Sequence, residues 1–126
     1  MIDVENALRE DIGEALGSKV TCYAAPAPPN LAAPAVCFHA LGGLAETPVS
    51  GSYDLSIDCW GATPGKAIDL AREVQYAVST LPMTTFASGR EWKTAVARFP
   101  YPNPDPIRPK IPRFTFTATV SIRGDR

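Results

Sequence analysis

The sequence predicts an α+β fold, a mostly antiparallel β-sheet with two α-helices packed on one face. Three observations carry that prediction. Two stretches repeat apolar residues at helical spacing, two others alternate apolar and polar residues, and most prolines fall in two clusters that no helix or inner strand could hold.

The first helix follows Asp3, whose carboxylate suits the free amides of an opening turn. Val4, Leu8, Ile12 and Ala15 or Leu16 recur on one side, with Glu5, Arg9 and Glu14 on the other. Gly17 suits the residue just past the helix end. Lys19 to Ala24 reads as a short strand, with Val20 and Cys22 on one face, and Ala35 to Leu41 as a second. Between them lie Pro26, Pro28, Pro29 and Pro34. Gly42-Gly43 to Gly51 reads as a flexible connection, because its glycines open conformations closed to other residues.

Tyr53 to Trp60 shows the clearest alternation. Tyr53, Leu55, Ile57 and Cys59 face one way; Asp54, Ser56 and Asp58 face the other. Thr63-Pro64 then opens a second helix, whose apolar stripe runs Ile68, Ala71, Val74, Val78 and Leu81 before Pro82 ends it. Trp92 to Phe99 is a strand of weaker alternation. Phe114, Phe116, Ala118, Val120 and Ile122 form a closing strand, their intervening threonines giving it a polar face. With helices on one face of the sheet, every apolar stripe is buried.

At 126 residues the chain fits one domain (1–126), since domains commonly run to roughly 100–150 residues. No stretch approaches the roughly 20 apolar residues of a bilayer helix, and the acidic, amphipathic start argues against a signal peptide. Twelve basic residues against 13 acidic ones argue against broad phosphate binding. Three cysteines cannot all pair internally, so reduced thiols are expected.

Chemistry is sparse. Cys22, Cys37, His39 and Cys59 could in principle supply three thiolates and an imidazole to zinc, but they lack the close Cys pairs of such sites, and no metal is expected. The single histidine, His39, would have to serve any Cys/His or Ser/His pair, and no nucleophile elbow surrounds the serines. Asp54 and Asp58 would stand about 13 Å apart on one strand face, too far to act on one bond. No catalytic residue and no cofactor is expected.

The second proline cluster, Pro100 to Pro112, is the most distinctive segment of the chain. Alternate prolines should hold it extended, with Tyr101 and Ile107 offering apolar contact and Arg98, Arg108, Lys110 and Arg113 offering charge. The plain alternative is a stiff linker held against the protein's own surface. Removing Asn103 to Ile107 is expected to leave the monomer folded and to impair assembly. Gly42 and Gly43 start a second segment that could reach a neighbour, although a simple loop accounts for it more readily.

The ordered set DVENALREDIGEAL, SYDLSIDCWG, ATPGKAIDLAREVQYAVSTL and RFTFTATVSIRG resembles the tail terminator, or tail-completion, proteins of long-tailed bacteriophages. The resemblance implies a non-enzymatic virion protein without a cofactor, assembled in the host bacterial cytoplasm. It also implies a ring of copies, typically six, that caps the tail tube and joins the head-neck. The implied partners are further copies, the tail-tube protein and a neck or head-completion protein, with DNA only passing through the ring. A head-closure or minor tail protein is the nearest alternative, and a small ligand-binding domain or enzyme a distant one.

Overall fold

The computed structural model of the chain describes residues 3–47 and 50–123, with backbone alone over 43–47 and at 50. Helix α1, Val4–Leu16, opens as expected: the Asp3 carboxylate accepts from the Asn6 amide at 3.2 Å. It closes on Gly17, whose positive φ of 82° favours glycine. Val4, Ala7, Leu8 and Ile12 are buried, each large side chain among them contributing roughly 1.5–3 kcal/mol.

Helix α2, Pro64–Ser79, is capped by the Thr63 hydroxyl, which accepts from the Lys66 amide at 3.1 Å. Its buried face is Ala67, Leu70, Ala71, Val74 and Val78. The expected stripe was therefore displaced at its start: Ile68 is only half-buried, and Ala67 with Leu70 takes the inward place. A 3-10 turn, Leu81–Met83, continues the chain and buries Leu81 completely.

The strands are β1 (Thr21–Ala24), β2 (Ala35–Thr47), β3 (Ser50–Trp60), β4 (Trp92–Ala97), β5 (Tyr101–Pro102) and β6 (Arg113–Arg123). Their order is β1-β2-β3-β6-β4, with β5 beside β6 beyond the end of β4. β1 runs parallel to β2, and every other pairing is antiparallel.

The segment expected to be a flexible connection is instead strand. Gly42 pairs with Asp54 and Gly43 with Tyr53, and the ladder continues to Thr47 and Ser50. The cause is tertiary: β6 lies along β3 as far as Ser50 opposite Arg123, so β3 extends and β2 follows it. The glycine signal survives as register shifts around Gly42 and Gly43, where Gly42 has φ 149°. Residues 48 and 49 lie outside the described residues.

Both helices cover the same face of the sheet. Beneath them Val36, Phe38, Leu55, Ile57, Cys59, Phe116, Ala118, Val120 and Ile122 join the helix side chains in one core. The opposite face carries Cys37, His39, Asp54, Asp58, Trp60, Thr115 and Thr119. A second, smaller core of Leu31, Ala35, Cys37 and Trp60 forms there under the proline-bearing loops, with Tyr23 and Ile111 packed against it.

Candidate assembly surface

The uncovered sheet face is a lattice of hydroxyls and carboxylates. Thr119 donates to Asp54 at 2.6 Å and Thr115 to Asp58 at 2.7 Å, while Thr94 and Ser121 share a hydrogen bond. The two aspartates are thus held by cross-strand partners on β6 rather than by solvent alone.

At one end of this face the second proline cluster folds back and locks. Trp60, 1% exposed, donates its Nε1 hydrogen to Asp105 at 3.1 Å. Asp105 also accepts from the Ile107 amide at 2.9 Å and from Arg108 at 3.0 Å. The guanidiniums of Arg108 and Arg113 lie 5.8 and 5.9 Å from the Trp60 ring centroid, within cation–π range. Arg108 further donates to the Pro28 carbonyl, tying the two proline clusters together. Burial alone would push the Asp105 carboxyl up. The bonds from Ile107, Arg108 and Trp60, with the Arg113 charge, outweigh it and hold the carboxyl below its ordinary value.

The other tryptophan is fastened in the same way. Trp92 donates to the buried Asp11 at 2.9 Å, and Asp11 accepts from Ser88 at 2.8 Å and Arg90 at 3.3 Å. Each tryptophan of the chain therefore anchors a loop through an aspartate that also holds an arginine. Neither clamp was visible as a motif, because its members lie 45 and 81 residues apart.

These contacts fix where the residues expected at an interface stand. Arg108 and Arg113 point inward, with side chains 11% and 15% exposed, and serve the Trp60 clamp. Arg98, Tyr101, Ile107 and Lys110 remain exposed; Arg98 reaches Thr117, and Ile107 is 77% exposed. Gly42 is exposed in β2, and Gly43 follows it in the same strand. The cluster is not extended throughout. Only Tyr101–Pro102 pairs as a strand, and an Ile111 amide bond to the Arg108 carbonyl closes a turn. Asp105 lies inside the stretch whose removal was expected to spare the fold, so its buried bonds contradict that expectation.

The cysteine–histidine set is divided by the sheet. Cys22 and Cys59 pack on the helix side, and Cys37 belongs to the small core opposite. Burial, opposed by Arg9, pushes the Cys22 thiol up to about 11; burial with Asp58 and Glu5, against Arg108, brings Cys37 to about 11. Burial, with Asp58 and Cys22 adding to it, raises Cys59 well above the ordinary thiol range. All three are thiols at neutral pH, the form least suited to attack or ligation. His39 is 57% exposed, its Nδ1 3.9 Å from Glu5 Oε2. A concavity of about 430 Å³ lies elsewhere, between Pro82 and Trp92, and the arginine lining it, Arg90, is already paired with Glu10 and Asp11.

Exposed apolar side chains gather along the outer strand. Val96 is 67%, Phe99 86% and Tyr101 49% exposed. Gln75 binds the Arg98 carbonyl at 3.1 Å, which brings α2 to this edge, and the next helix residue, Tyr76, is 73% exposed. Apolar residues on a strand edge are a surface that proteins otherwise protect, and they mark contact sites.

The fold and this surface define an α+β protein with two helices on one sheet face and apolar residues at a sheet edge. No family model matches the chain, and no curated protein matches it. Among solved structures, the chain is similar to one from the virion of a native gene transfer agent particle. The likeness covers 90% of this chain and 84% of that one, at 14% identity and a TM-score of 0.56. At that identity what is shared is the fold.

Proposed function

We propose that this chain is a structural subunit of a phage-like virion, one that assembles with its own copies into a ring of six at the end of a tail tube. The observation that carries the reading is the fold likeness to a virion chain over most of both proteins. The exposed Val96, Phe99 and Tyr101 support it, since a subunit in an assembly would cover them. In this reading the protein does its work by binding, without cofactor or catalysis, as one domain. Its partners are its copies, the tail-tube protein and a neck or head-completion protein, and DNA passes through the ring.

The test is to add the purified, gold-labelled protein to polymerised tail tubes and image them. Label at one tube end supports a tail terminator. Label along the tube would favour a tube-associated role, and label on isolated heads a head-closure role. No association with any virion part would contradict the proposal.

A further inference from the structure

The two outer edges of the sheet are unequal along their length. The registers set Ala40 opposite Leu55, Leu55 opposite Ala118, and Ala118 opposite Ala97. The distal half of β2 and the whole of β4 therefore lie at one level, on opposite sides of the sheet. At the other level lie β1 and β5, through Tyr23, Cys37, Asp58, Thr115 and Tyr101. Prolines blunt that level: Pro26 follows β1, while Pro100 and Pro102 flank and end β5.

The first level is open. β1 ends opposite Phe38, and among the described residues no strand lies beyond β2 from Ala40 onward; the Ala40 amide is taken by the Glu5 carboxylate at 2.7 Å. No described strand lies beyond β4 either. The Arg98 amide points inward to the Thr117 carbonyl, so alternation turns the amides and carbonyls of Ala95 and Ala97 outward.

The two edges also match in direction and charge. β2 opposes β3, β3 opposes β6, and β6 opposes β4, so β4 runs opposite to β2. A second copy set alongside in the same orientation would bring these edges together antiparallel. The β4 edge carries exposed Lys93 and Arg98. The β2 edge has the Glu5 carboxylate against it, with exposed Asp3 two residues earlier. Opposite charges at the join favour this partner and this register.

We propose that copies of this chain join head to tail by antiparallel pairing of β4, Thr94 to Ala97, with the distal half of β2, Leu41 to Glu46, of the next copy. One sheet then runs from subunit to subunit, and this heterologous contact closes when its rotation closes. The closure rests on the ring reading above; the pairing is a separate claim about which edges meet.

The experiment measures the assembly's mass and its amide exchange. In the wild-type assembly the Ala95 and Ala97 amides are expected to be protected, and Ala97→Pro, which deletes an outward donor, to leave a folded monomer. Free exchange of both amides in the assembly, or an unchanged mass for folded Ala97→Pro, would overturn the pairing while leaving a ring standing. Should Ala97→Pro not fold, charge reversal decides. Arg98→Glu is expected to weaken assembly, and an Arg98→Glu assembly of undiminished stability would overturn the pairing. A wild type that stays monomeric, alone and with tail tubes, defeats the ring reading and the pairing with it.

Discussion

At the scale of single residues, the chain spends its polar chemistry on anchoring. Asp105 gathers an indole, a backbone amide and a guanidinium in a site where it is 2% exposed. Asp105→Ala would leave those donors unmatched and is expected to cost about 2–4 kcal/mol, read from denaturant unfolding. The pH dependence has a definite sign. Because the folded carboxyl sits below its unfolded value of about 3.9, its contribution is complete above that pH and is lost as pH falls through the lower folded value. Wild-type stability should thus fall more steeply below about pH 4 than that of Asp105→Asn. The thiols give another residue-scale test. At pH 8 a thiol raised to about 11 holds about two orders of magnitude less thiolate than one at 9.0, so native Cys22 and Cys37 should alkylate that much more slowly than the unfolded chain. Local partners were readable from sequence here, as with the Asp3 and Thr63 caps, whose bonds span three residues. The Trp60 clamp was not, because nothing near Trp60 announces an aspartate 45 residues away.

At the scale of elements, periodicity did most of the work. The alternation of Tyr53, Leu55, Ile57 and Cys59 identified both the strand and its buried face. The same alternation places Trp60 on the other face, where the loops rather than the helices bury it. Glycines misled around residue 42, since propensity cannot register that β3 and β6 supply a ladder there. Gly61, in contrast, is required. A Cβ on it would meet the Ala67 backbone nitrogen at 2.4 Å, where the first turn of α2 docks on the strand end. Gly61→Ala is therefore expected to lose roughly 1–3 kcal/mol, seen as a lowered unfolding midpoint. The proline loop has the opposite expectation at its tip. Ile107 is exposed, so Ile107→Asp should leave the unfolding midpoint unchanged, and a weakened assembly would assign the tip to an interface.

At the scale of the whole molecule, the sheet with two helices on one face was legible because each apolar stripe demanded a partner and only one layer arrangement satisfied all of them. The parallel placement of β1 was not legible, since the proline loop between β1 and β2 shows no direction in sequence. The candidate surface was legible only in part. Composition drew attention to the second proline cluster, yet two of its arginines proved to hold the fold together, and the exposed apolar edge at Val96 and Phe99 had gone unmarked. The interface could not be read from a single chain's alternation, because a strand edge becomes an edge only when the strand order is known.

Native mass spectrometry of the purified protein, alone and with tail tubes, tests the assembly claim most directly. A ring of six 13.5 kDa subunits predicts a closed species of about 81 kDa that appears as concentration rises or tubes are added. A species that stays at 13.5 kDa under both conditions would contradict it.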